Sequence, residues 1–168
     1  DRYSREVIEL WQRLELEFDY VKFFTTLDKE WLYHGDRSIL TLEAAQRRLA
    51  EKLEKDYDVI ILSGLKWDHH FTPELRRTIA DKVEAGAGLV YIEPEGLKPD
   101  DELQGVCGIP DGDKRNLNAW GKWEQVAEHY ITSGLPWDTL PRTRAMPFTT
   151  PPQGDVLANY AGQSTQPR

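Results

Sequence analysis

Four apolar residues in a row, Val59-Ile60-Ile61-Leu62, stand between Asp58 and Ser63 and run straight into Gly64. A strand with one face in water alternates polar and apolar residues, because successive side chains point to opposite faces. An unbroken run is what a parallel strand carries when helices cover both of its faces. A second such run, "GLVYIE" over residues 88–93, follows. Between the two, Thr72-Pro73 opens a helix in the favoured order of cap then proline. Leu75, Ile79 and Val83 form its apolar stripe, and Gly86 ends it.

The same alternation extends upstream. Val7, Trp11, Leu14 and Phe18 share one face of a helix predicted over residues 4–18, with Ser4 as its cap. A short strand follows over 20–25, then a polar connection over 28–39. Thr41 caps a helix running to about Lys55, with Leu42, Ala45, Leu49 and Leu53 inward. A β-α-β-α-β order of this kind argues for a doubly wound, mostly parallel α/β sheet. After residue 97 the pattern weakens, and only "DVLANYA" (155–161) reads as a further strand. The echo of "GLKWD" (64–68) in "GLPWD" (134–138) has no matching flanks and is not a repeat.

The chain is predicted to form one α/β domain over residues 1–161 with a tail at 162–168. It opens on a helix where a doubly wound sheet has its first strand, so that strand is expected upstream of Asp1. The chain reads as part of a longer polypeptide, which makes other domains of that polypeptide its expected partners.

A formal net charge of −8 and the lack of any Lys/Arg cluster argue against tracking of a nucleic-acid backbone. No apolar run is long enough to span a bilayer, and no signal peptide is present. Cys107 is the only cysteine, so no intrachain disulfide forms, in keeping with a reducing compartment. The sequence itself assigns no localisation.

Four segments carry a resemblance. They are "DYDVIILSGL", the Pro-led helix leading into "EAGAGLVYIEPEG", "HYITSGLPWDTLP" (129–141) and the late "GDVLANYA" (154–161). Together they resemble the class I glutamine amidotransferase-like superfamily, in the branch of trehalose-utilisation-like proteins and amidotransferase-like domains of sugar-active proteins. The resemblance covers about residues 1–161. It implies a flavodoxin-like, doubly wound sheet with helices on both faces, here lacking its first strand. In that family the turn after the strand at 88–93 holds a nucleophilic Cys, completed by a downstream His and carboxylate. Here the turn holds Pro94-Glu95-Gly96. Without a thiolate there is no thioester route to ammonia, so no glutaminase activity is expected.

What that turn can do instead depends on its neighbours. Glu93 and Glu95 sit outside the carboxyl end of a strand, where open α/β sheets place ligands. They read either as a general base, a metal ligand or a polar sugar contact, or as a solvated turn stiffened by Pro94. Asp68-His69-His70 follows the other strand at the same edge. Adjacent residues point different ways, so the triplet reads as a loop rather than a metal site, with one His packing against or capping the Thr72 helix. Gly64 offers an N–H to an anion or hydroxyl, or is a turn needing positive φ. Cys107 follows a short helix and reads as a small buried hydrophobe. His129 reads as ordering the Gly134-Leu135-Pro136 turn. Trp67, Trp120, Trp123 and Trp137 fall in predicted loops, where an indole can stack on a sugar ring.

The candidate ligand contacts are therefore Gly64, Trp67, His70, Glu93, Glu95 and Gly96, around a small neutral sugar-like ligand, with no cofactor and no metal. The leading expectation is a non-catalytic amidotransferase-like binding or interaction module of a larger carbohydrate-active protein. The alternatives are a cysteine-independent hydrolase or isomerase with Glu95 as base and Asp68 or His69 as its partner, and an oligomerisation domain that forms a homo-oligomer.

Overall fold

Thr41 opens the first long helix as its sequence predicts. The computed structural model describes residues 9, 12–21, 23–26, 29–31, 41–92, 94–98, 100–107, 120–140, 143–144 and 154–162. The Thr41 hydroxyl accepts from the Ala44 N–H at 3.1 Å, which satisfies one of the orphan donors of helix α1 (Leu42–Leu53). Ala45 is fully buried in this helix and packs with Val21, Phe23, Leu42 and Ala44. Asp19 ties the preceding segment to the helix, accepting from Lys52 and, at 2.8 Å, from Lys55.

Upstream, residues 12–14 are helical, but Glu15 has φ 49° and ends the turn there. The helix therefore stops short of Phe18, and Leu14 and Phe18 are both exposed. Val7 and Trp11, the rest of the predicted stripe, lie outside the described residues. The strand predicted over 20–25 is shifted to β1 (Phe24–Thr26). It pairs antiparallel with β2 (Lys29–Trp31), inside the stretch read as a polar connection.

The chain divides into two compact units, Asp1–Asp56 and Tyr57–Arg168, a boundary inside the domain expected over 1–161. The second unit holds the two apolar runs. They form β3 (Val59–Ser63) and β4 (Gly88–Ile92), paired in parallel from Val59↔Gly88 to Ser63↔Ile92. Between them lie a four-residue helix, α2 (Trp67–His70), and α3 (Pro73–Glu84). The Thr72 hydroxyl accepts from the Leu75 N–H at 3.3 Å, and Gly86, at φ 117°, turns the chain out of α3 toward β4. The structure thus has mixed α/β character, with a parallel β-α-β unit in the second of the two units.

Coverage of this ladder differs from expectation. Ile60 and Leu62 are buried, together with Trp67, Phe71, Leu75, Ile79, Ala80, Leu97 and Leu103. The alternate positions Val59, Ile61, Val90 and Ile92 are exposed, Ile61 at 59 %. A single crossover covers a single face, so the unbroken apolar run here does not mark two covered faces.

The mostly parallel arrangement also needs correction for the later strands. β5 (Trp120–Gln125) pairs antiparallel with β6 (Thr143–Arg144) on one side and β7 (Ala158–Gly162) on the other. The Val126 and Ala127 N–H groups both donate to the Leu157 carbonyl, so the chain entering β7 runs back along the chain leaving β5. Antiparallel pairing follows from that reversal. β7 begins at Ala158, three residues later than the start read from the sequence.

Candidate functional site

The carboxyl ends of β3 and β4 bring the predicted site residues together, but they close on each other. Beyond the ladder the Gly64 N–H donates to the Ile92 carbonyl at 3.1 Å, and the Trp67 N–H to the Glu95 carbonyl at 2.7 Å. A parallel bridge joins Lys66 to Glu95. The two loops are therefore zipped for several residues past the strands.

Gly64 has φ 63°, so the turn requires the left-handed conformation that glycine adopts without strain. The positive φ matches the reading of Gly64 as a turn residue, and its N–H is engaged by the Ile92 carbonyl. The same holds along the loop. The Lys66 N–H donates to His70 Nδ1 at 2.8 Å, and the His69 and His70 N–H groups both donate to the Lys66 carbonyl. These N–H groups are engaged by the protein's own acceptors.

Trp67 opens α2 with its side chain fully buried, at 0 % exposure. Its ring lies 5.3 Å from Phe71 and 6.4 Å from Tyr91, centroid to centroid. The indole N–H points to Glu102 Oε2 at 3.4 Å. This corrects the reading of Trp67 as an exposed stacking platform. An indole flanked by Lys66 and Asp68 looks like a loop residue in sequence, yet one turn of helix rotates it into the core. His70 is likewise buried, and its Nδ1 is the acceptor that holds the Lys66 N–H. It is the packing histidine of the pair. Its neighbour His69 is exposed.

Glu95 is half-buried, and its Oε1 stands 3.1 Å from the Lys66 ammonium. Lys66 is the residue that sequence reasoning passed over. Its signal was a lone cation in a loop facing a carboxylate turn at the same sheet edge. Gly96 has φ 76°, and a Cβ there would fall 2.2 Å from Asp68 Oδ1. Only glycine lets the turn pack this closely under Asp68. Glu93 lies outside the described residues.

An ion-pair network extends from this edge to helix α4 (Glu102–Cys107). Arg76 lies 3.7 Å from both Asp101 Oδ1 and Glu102 Oε2, and Asp101 Oδ2 accepts from the Lys98 N–H at 2.6 Å. The Tyr91 hydroxyl donates to the Leu65 carbonyl at 2.6 Å. Backbone and side chains alike make the strand ends a closed latch. Among the described residues no group of three or more His, Cys, Asp or Glu side chains is placed to hold a metal ion, and no helix is long and apolar enough to cross a membrane.

Cys107 is the last residue of α4. His129 bonds locally, to the two residues that follow Tyr130 rather than to the Gly134-Leu135-Pro136 turn. Its Nδ1 accepts from the Ile131 N–H at 3.2 Å, and its carbonyl accepts from both the N–H and the hydroxyl of Thr132. Trp123 is half-buried in β5, and Trp137 opens a 3-10 turn (Trp137–Thr139). Trp120 begins β5. Comparison with protein-family models, curated proteins and solved structures finds no match to this chain.

Proposed function

We propose that this chain is an amidotransferase-like α/β domain, flavodoxin-like in its winding, that acts as a binding or interaction module of a larger carbohydrate-active protein and performs no glutaminase chemistry. The observation that carries this reading is the contact between Lys66 and Glu95. Where the resemblance aligns a nucleophile, the turn after β4 presents a carboxylate 3.1 Å from an ammonium group, and the neighbouring N–H donors are occupied. Acyl transfer needs a nucleophile and donors aimed at the developing oxyanion; the carboxylate at Glu95 and the engaged N–H groups of Gly64, Lys66 and Trp67 support the reading that this edge performs none. The test is incubation with glutamine, which should release no ammonia above background. Release that disappears in Cys107→Ser would overturn the reading.

A second reading, a cysteine-independent hydrolase or isomerase, draws on one observation. The Asp68 carboxylate packs over Gly96, next to Glu95, so two carboxylates share the strand ends. Turnover of a neutral glycoside that is lost in Glu95→Gln but kept in Lys66→Met would favour it.

A further inference from the structure

Apart from the strand-end latch, a crevice of about 480 Å³ opens in the second unit. Gln125 at the end of β5, the loop Glu128-His129-Tyr130, Ser133 and Trp137 line it. We propose that this crevice binds a neutral carbohydrate of one or two sugar rings, with Tyr130 and Trp137 as its stacking faces. The inference rests on the binding-module reading above and places that module's ligand.

Three features of the crevice point to a sugar. First, Tyr130 is 82 % exposed, and its ring sits 4.3 Å from that of His129, at 37°. A large ring held in water against a neighbour offers an apolar face at little entropic cost on binding. Second, the wall that carries it is fixed. Thr132 is buried and donates twice to the His129 carbonyl, the Leu135 N–H reaches the Thr132 carbonyl, and the Trp137 N–H reaches the Leu135 carbonyl at 2.9 Å. Gly134, at φ 76°, makes the bend between them. Third, the polar groups suit hydroxyls. The Glu128 carboxylate accepts, the Ser133 hydroxyl does both, and His129, whose Nδ1 accepts from Ile131, carries its ring proton on Nε2 when neutral.

The charge selects a neutral ligand. Among the described residues neither Lys nor Arg lines the crevice, Glu128 does, and the chain carries a net charge of −8. A phosphate or carboxylate would meet repulsion with nothing to offset it. The volume falls within the range of small-molecule sites, on the order of 300–1,000 Å³.

The experiment is an amide chemical-shift titration of the whole chain with maltose, cellobiose and glucose 6-phosphate. Maltose or cellobiose should shift amides within residues 125–137 at millimolar concentration. Tyr130→Ala, at an exposed position that the fold does not need, should weaken that binding at least about tenfold, the scale of a lost stacking contact. Trp137→Ala should do the same. Failure of both disaccharides to bind the folded protein would overturn the proposal, as would binding indifferent to both substitutions or tighter binding of glucose 6-phosphate. Sugar shifts confined to residues 64–71 and 94–98 would overturn the crevice while leaving the binding-module reading intact. Ammonia release from glutamine would sink that reading and leave the crevice standing.

Discussion

Lys66 and Glu95 meet twice: a parallel backbone bridge joins them, in which the N–H after Lys66 donates to the Glu95 carbonyl, and their side chains pair at 3.1 Å. The pair staples two loops that leave neighbouring parallel strands. Lys66 is about half exposed, so water screens much of the attraction. A double-mutant cycle with Lys66→Met and Glu95→Gln should give a coupling of about 0.5–1 kcal/mol in urea unfolding. A coupling near zero would mean that the backbone bridge alone holds the loops.

Two glycines of the same edge should respond differently to alanine. At Gly64, φ 63°, a Cβ meets nothing within 4 Å, so Gly64→Ala should cost only the left-handed strain of about 1 kcal/mol. At Gly96 the Cβ also meets the carboxylate of Asp68, an exposed side chain that can swing aside, so Gly96→Ala should cost somewhat more, about 1–2 kcal/mol. Removing the obstacle with Asp68→Ala should bring the Gly96→Ala cost down to the Gly64 level. Equal costs at the two glycines in the parent protein would contradict the close packing.

Burial separates residues that look alike in sequence. Trp67→Ala should lose about 3–5 kcal/mol, as expected for emptying a buried indole site. Ile61 lies inside the most apolar run of the chain but faces water, so Ile61→Thr should stay within about 0.5 kcal/mol of the parent. Denaturant midpoints at constant m-value check both. A loss of several kcal/mol at Ile61 would mean that this face of the ladder is covered.

The cap of α3 carries a pH dependence. The Glu74 carboxyl is held below its ordinary range, first by its own backbone N–H and then by the Thr72 hydroxyl, with Arg77 and Arg76 adding to the effect. A carboxyl lowered in the folded state stabilises the fold at neutral pH, and that contribution is lost as pH falls through its folded-state pKa. Thr72→Ala should cost about 1 kcal/mol at neutral pH and move the Glu74 titration up toward the ordinary value. Carbon-detected NMR titration of the carboxyl reads the shift directly, and an unmoved Glu74 would contradict the assigned cause.

The elements legible in the sequence are those whose signals are local. Thr41 and Thr72 cap the helices they were expected to cap, and β3 and β4 lie where their apolar runs lie. β2 was missed because Lys29-Glu30-Trp31 owes its strand to cross-strand partners rather than to its own composition. β5 was missed because Gly121 and Lys122 interrupt any strand pattern, and its partners come from distant sequence. At the site, the meeting of loops 64–70 and 94–96 followed from strand order. That their N–H groups would satisfy each other did not, because it depends on the Lys66↔Glu95 register, which no local pattern encodes.

Amide hydrogen exchange at the strand ends tests the closed latch most directly. The N–H groups of Gly64, Lys66, Trp67 and His70 are each bonded within the protein, so they should exchange slowly, with protection approaching that of the ladder amides of β3 and β4. Exchange of these four at the rate of exposed loop amides would show an open edge with donors to spare. A site for an oxyanion would then be back in place, and the closed latch would be refuted.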